Sequence, residues 1–120
     1  YAVALSPDGR LVATDSQYKY GKNGDVECFI YVFDTVSGEI RNRIGPLPDL
    51  VRDLAFSPDG RFLAAGLFRQ NGIRLWTKEA NGSFGTSPSV GNGYGAGVFG
   101  LSFSPDGKRL ATASMDGLVR

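Results

Sequence analysis

This sequence predicts an all-β fold built from repeated sheets of four short antiparallel strands. Three observations carry the prediction. Ser6-Pro7-Asp8-Gly9 returns as Ser57-Pro58-Asp59-Gly60 and again as Ser104-Pro105-Asp106-Gly107. Each copy lies between two apolar runs: Val3 and Leu5 lead to Arg10–Ala13, Leu54 and Phe56 to Arg61–Ala64, Leu101 and Phe103 to Lys108–Ala111. Helical periodicity is scarce, and 17 glycines punctuate the chain. Two strand-like runs around a short Gly-containing turn read as a β-hairpin. Proline pre-sets φ at the first corner, Asp tolerates the second, and Gly takes the left-handed position. A unit recurring at roughly 50 residues marks an architecture of stacked repeats.

In the first repeat, strand a covers about Ala2–Leu5 and strand b about Leu11–Thr14. Asp15 to Asp25 is polar and turn-forming, and Cys28–Phe33, dense in β-branched and aromatic residues, is strand c. Thr35–Gly38 turns the chain into an outer strand d, Glu39–Ile44, which Gly45-Pro46-Leu47-Pro48 ends. In the second repeat the strands are Val51–Phe56, Phe62–Leu67, Ile73–Thr77 and a weak Phe84–Val90, followed by the loop Gly91–Gly97. The third has Val98–Phe103 and Arg109–Ser114, then a turn at Met115–Gly117 and the start of strand c at Leu118. The expected blades are about 1–48, about 49–97 and a partial one at about 98–120. A sheet with one buried face needs a neighbour, so such units stack. The chain starts inside a strand a, without Met, and stops inside a strand c. It is therefore expected to be an internal piece of a longer protein, with further blades or self-association covering its open edges.

These residues carry a family resemblance. Leu101 to Arg120 is similar, almost position for position, to the repeat of the WD-repeat (Trp-Asp repeat) β-propellers. Trp76 stands at the Trp of that pair with Thr77 in place of Asp, and Asp34 stands at the Asp with Phe33 in place of Trp. The resemblance implies an all-β propeller, incomplete in this chain, and a protein–protein interaction scaffold. There is no histidine, so the family's buried His-Ser/Thr-Asp-Trp tetrad is incomplete in every repeat. Thr14 and Thr112 match its hydroxyl place and Ala65 does not. Without His, the tetrad is not expected to lock the loop before strand a, and apolar packing is expected to hold the blades instead. Such irregular repeats are similar to prokaryotic members. A weaker likeness is to Tol-type periplasmic propellers, which share the hairpin motif.

Composition narrows the function. A net charge of +1 supplies little phosphate attraction, so no nucleic-acid partner is expected. The longest uncharged stretch, Ala80–Pro105, is broken by glycines and does not read as a membrane span. No targeting segment is visible, and the compartment is left open. The chain without His cannot assemble a Ser-His-Asp or Cys-His site. Cys28 opens an apolar strand and reads as a buried structural thiol. Asp8, Asp59 and Asp106 recur with the turn, and turn chemistry accounts for them. The glycine loop lacks the following helix of a nucleotide cradle. Asn23, Asp25 and Glu27 match no calcium-loop spacing. No cofactor, metal or catalytic residue is expected.

Binding is the better reading. In an up-and-down sheet the b–c turns and d–a connections share one end. The two long excursions, Asp15–Glu27 and Ser83–Gly97, therefore emerge together, and long loops on a rigid scaffold are where function concentrates. The candidate partner-binding residues are Tyr18, Lys19, Tyr20, Lys22, Arg69 and Tyr94, an aromatic–basic set of the kind enriched at interfaces. Solvated loops without a partner would carry the same residues. Two further alternatives are a propeller attached to a peptidase (caspase-like) or kinase domain outside this chain, and a structural periplasmic propeller.

Overall fold

The computed structural model describes residues 2–16, 19–20, 26–69, 72–85, 88–91 and 93–119. All regular structure in them is antiparallel β. The first sheet comprises β1 (Val3–Leu5), β2 (Leu11–Asp15), β3 (Lys19–Tyr20), β4 (Val26–Asp34) and β5 (Ile40–Leu47). Its order is β1-β2-β4-β5, with β3 paired to the first residues of β4. The second sheet runs β6 (Val51–Phe56), β7 (Phe62–Leu67), β8 (Ile73–Thr77), β9 (Ser89–Gly91) in that order. The third is the hairpin β10 (Val98–Phe103), β11 (Leu110–Ser114), with Val119 returning to bridge Ala113. These are blades of a partial propeller.

The three hairpin turns are built identically. The Ser Oγ donates to the Asp Oδ1 at 2.7, 2.6 and 2.5 Å in successive copies. The backbone N–H of Arg10, Arg61 or Lys108 donates to the same oxygen at 2.9, 3.0 and 3.0 Å. The N–H of Leu11, Phe62 or Arg109 donates to the Ser Oγ at 2.9, 3.0 and 3.0 Å. Gly9, Gly60 and Gly107 have φ of 72°, 73° and 71°. That left-handed geometry requires glycine and explains the recurrence of the fourth motif residue.

Two strands differ from expectation. β5 continues past Ile44 to Leu47. Phe29 on β4 faces both Gly45 and Pro46, a bulge between the pairs Ile30–Ile44 and Cys28–Leu47. Proline needs no ladder donor there, so the strand survives it. The outer strand of the second sheet is shorter than expected: Phe84 only bridges Lys78, and pairing resumes at Ser89. The b–c excursion of the first sheet also contains structure, since Lys19 and Tyr20 pair with Glu27 and Val26.

The core lies between the first two sheets. Ala13, Cys28, Ile30, Val32, Ile44 and Leu47 from the first meet Val51, Leu54, Leu63, Ala65, Leu67, Trp76 and Phe84 from the second. Register explains the composition: Phe33 opposes Val12 as Trp76 opposes Leu63, so the two aromatics hold equivalent places. Asn42 pins the junction. Its Oδ1 accepts the Phe84 N–H at 2.8 Å and its Nδ2 donates to the Phe84 carbonyl at 3.4 Å. Asn42→Ala leaves both backbone groups without these partners in a part-buried place. The expected cost is about 1–3 kcal/mol by urea denaturation, against about 0.5 kcal/mol or less for exposed Val36→Ala. Equal costs contradict the junction role.

Candidate functional site

The two ends of the sheets differ. At one end the a–b and c–d turns meet: Thr35 N–H donates to the Arg10 carbonyl at 3.0 Å and Lys78 N–H to the Arg61 carbonyl at 2.7 Å. A cleft of about 380 Å³ opens there between the first two sheets, lined by Asp8, Arg10, Asp34, Arg41, Lys78 and Asn81 among others. Its charges oppose one another, and Arg41 pairs with Asp34 at 3.0 Å.

The carboxylates of this end are held ionised by the turns. Two backbone N–H groups, Ser37 and Val36, and the Arg41 guanidinium bring Asp34 down to about 2. Asp8 is lowered chiefly by the Arg10 N–H and then the Ser6 hydroxyl. Asp59 is lowered chiefly by the Ser57 hydroxyl, and Asp106 by the Ser104 hydroxyl. A folded-state value below the unfolded 3.8 means stability present above that pH and lost as pH falls through the folded values. Melting temperature should therefore hold from neutrality to about pH 4.5 and fall between about pH 4 and 2. Replacing Asp8, Asp59 and Asp106 together by Asn should flatten much of that decline. A decline unchanged in the triple variant assigns acid lability elsewhere.

At the other end the b–c turns and d–a connections are tied together. Phe68 N–H donates to the Leu50 carbonyl and Met115 N–H to the Gly97 carbonyl, both at 2.9 Å. Gly95 N–H donates to Asp116 Oδ2 at 3.0 Å. The glycine loop thus lies against the last turn rather than standing free of it.

Of the six candidate residues, Tyr18 and Lys22 lie outside the described residues, as do Asn23 and Asp25. Lys19 and Tyr20 form β3 at this end. Arg69 is exposed, adopts φ 56°, and places Nε 3.6 Å from the buried carboxylate of Asp49. Tyr94 corrects the expectation of a surface contact. It is 8% exposed, and its hydroxyl lies 2.9 Å from Thr112 Oγ1. A link between the loop before strand a and strand b therefore exists in the third repeat without histidine. The equivalent pair in the second repeat is Leu47 and Ala65, both in the apolar core. Its Trp76 is fully buried, and Nε1 has no hydrogen-bond partner among the described residues. Cys28 is buried too, and burial pushes its thiol up.

Three residues at this end escaped sequence reasoning. The Arg52 guanidinium lies 4.6 Å from the Phe68 ring centroid and 5.3 Å from that of Phe99, with Phe99 46% exposed. Arg52 and Phe99 each stand five places before the Ser of the hairpin motif, a repeat equivalence that could have drawn attention to them. Among the described residues, no group of three or more His, Cys, Asp or Glu side chains is arranged to hold a metal ion. No helix is long and apolar enough to cross a membrane among them.

Comparison with known proteins agrees with this architecture. The model of the family "WD domain, G-beta repeat" matches residues 41–77 and 85–120, more than half of the chain. Human "WD repeat and SOCS box-containing protein 1" is 28% identical over 83 residues, 69% of this chain and 19% of the relative. "WD repeat-containing protein VIP3" of Arabidopsis thaliana is 27% identical over 127 residues, 98% of this chain and 37% of that protein. "Periodic tryptophan protein 2 homolog" of Schizosaccharomyces pombe is 24% identical over 115 residues, 96% of this chain and 12% of its own length. The chain thus spans well under half of each relative. All three are eukaryotic and lend no support to the prokaryotic likeness expected above. WD repeats are generally protein–protein interaction scaffolds. With three identically built hairpin turns, stacked antiparallel sheets and a family match on two repeats, this chain belongs to the WD-repeat family.

Proposed function

We propose that the chain is a non-catalytic protein-interaction module that receives its partner on the end formed by the b–c turns and d–a connections. The observation that carries this reading is the contrast between the ends. One end holds minimal turns whose Asp carboxylates are hydrogen-bonded within the turns, with Arg41 paired to Asp34. The other holds the long b–c excursion with its aromatic–basic residues, next to d–a segments hydrogen-bonded to neighbouring turns. Fixed loops lose little entropy on binding, which favours recognition. Tyr18, Lys19, Tyr20, Lys22 and Arg69 are the proposed contacts, with Tyr94 anchoring the adjoining loop from inside. The partner is a protein, and self-association or further blades are proposed to cover the open sheet edges.

The test is photo-crosslinking in extract of the source cell. A crosslinking residue at position 69 should capture one protein, and one at position 37, at the opposite end, should not. Tyr18→Ala with Tyr20→Ala should reduce that capture at least tenfold while costing less than about 1 kcal/mol of stability. Equal capture at both positions, or capture indifferent to the double substitution, contradicts the reading.

A further inference from the structure

The patch at Arg52, Phe68, Arg69 and Phe99 has a defined chemistry. Arg52 lies against two rings, Phe68 and Phe99, and Arg69 is 5.9 Å from the Phe68 centroid. Stacking on an aromatic face holds a guanidinium without neutralising it, so its donors remain available to an acceptor. Four carboxylates at this end accept backbone N–H groups. Asp15 accepts the Ala2 N–H, and Asp53 accepts the N–H groups of Leu54 and Leu101. Asp49 accepts the Leu50 N–H, and Asp116 accepts those of Gly95 and Leu118. Arg52 makes no ion pair within 4 Å among the described residues. These carboxylates keep their charge, but Asp49 is buried and Asp53 half-buried while Arg52 and Arg69 are exposed, so the patch presents guanidinium beside exposed phenyl surface.

We propose that this patch binds an acidic peptide segment of the partner, one carrying Asp or Glu carboxylates next to an apolar anchor. Arg52 takes a carboxylate as a charge-assisted, bidentate pair, and Phe99 and Phe68 take the anchor. Arg69, tethered by Asp49, flanks it. The rings hold the guanidinium in place, so less rotamer freedom is lost than for a free arginine. This assignment rests on the interaction reading above and names the chemistry of its partner.

The experiment is selection of a random dodecapeptide library against the intact chain. The enriched peptides should be net negative with an aromatic or aliphatic anchor. Arg52→Glu and Phe99→Ser should each raise the dissociation constant of the best peptide about tenfold or more, and salt should weaken it. Arg41→Gln, at the opposite end, should leave it within about twofold. Arg52→Gln serves as a second variant, with a thermal melt verifying that each variant folds. Enriched peptides that are neutral or basic, or that bind Arg52→Glu as well as the parent, overturn this assignment and leave the interaction reading standing. No enriched peptide at all overturns both. A single-stranded oligonucleotide that displaces the peptide and binds more tightly overturns the assignment in favour of general polyanion binding.

Discussion

Trp76→Ala should cost about 3–5 kcal/mol, a large share of the roughly 5–15 kcal/mol that holds a typical domain. Trp76 is fully buried between the first two sheets and is among the largest side chains there. Truncation removes its ring from contact with strands of both sheets and leaves a cavity that two hydrogen-bonded ladders cannot close. The effect should be one of packing and not of hydrogen bonding, because Nε1 has no acceptor among the described residues. Trp76→Phe should accordingly cost only about 1–2 kcal/mol, the loss of part of the apolar area. The reciprocal change should stabilise. Ala65 lies on the face of β7 that carries Leu63, the residue opposite Trp76. Ala65→Ser offers that face an acceptor, worth about 1 kcal/mol. Urea melts check all three, and the indole N–H resonance of the Ala65→Ser variant should move downfield. A costly Trp76→Phe, or a neutral Ala65→Ser with an unmoved resonance, contradicts this account of the site.

Gly66→Val should disrupt the junction between the second and third sheets. A Cβ at Gly66 would meet Val98 Cγ1 and the Val98 carbonyl oxygen, both at 3.0 Å. The side-chain contact could relax by a rotamer change. The carbonyl belongs to β10, whose backbone is held by pairing with β11, so it cannot retreat without breaking register. Branched carbons add to the clash. The cost should approach the upper end of the ~1–3 kcal/mol typical of overpacking. Gly100→Ala is the control. Its Cβ would find only Ala113 Cβ at 3.8 Å, an ordinary contact, and should change stability by about 0.5 kcal/mol or less. Similar costs at the two glycines contradict close approach as the reason for Gly66.

Much of the fold was legible because its determinants are local. Ser57-Pro58-Asp59-Gly60 contains every side chain that closes its turn, and the apolar runs on either side of it, Val51–Phe56 and Phe62–Leu67, pair across that turn. What the sequence concealed depends on partners distant along the chain. Pro46 read as a terminator because the bulge that tolerates it is created by Phe29 on another strand. Tyr94 read as a surface residue because it lies in a long excursion between strands, yet Thr112 in β11 draws its hydroxyl inward. The missing histidine left Thr112 without its family partner, and a hydroxyl-bearing residue ahead of strand a was the available clue. The site was less legible than the fold. The aromatic–basic character of the b–c excursion was visible as a run. Arg52, Phe68 and Phe99 are scattered in sequence and meet only because successive sheets stack.

The central claim is that one end of this partial propeller is the binding end. The most direct test is amide chemical-shift mapping of the isotope-labelled 12.8 kDa chain with the best library-selected peptide. The account predicts shifts at Lys19, Tyr20, Arg52, Phe68, Arg69 and Gly95–Phe99, with Asp34–Arg41 and Lys78–Ser83 unmoved. Shifts concentrated on Asp34–Arg41 and Lys78–Ser83, around the opposite cleft, would contradict it.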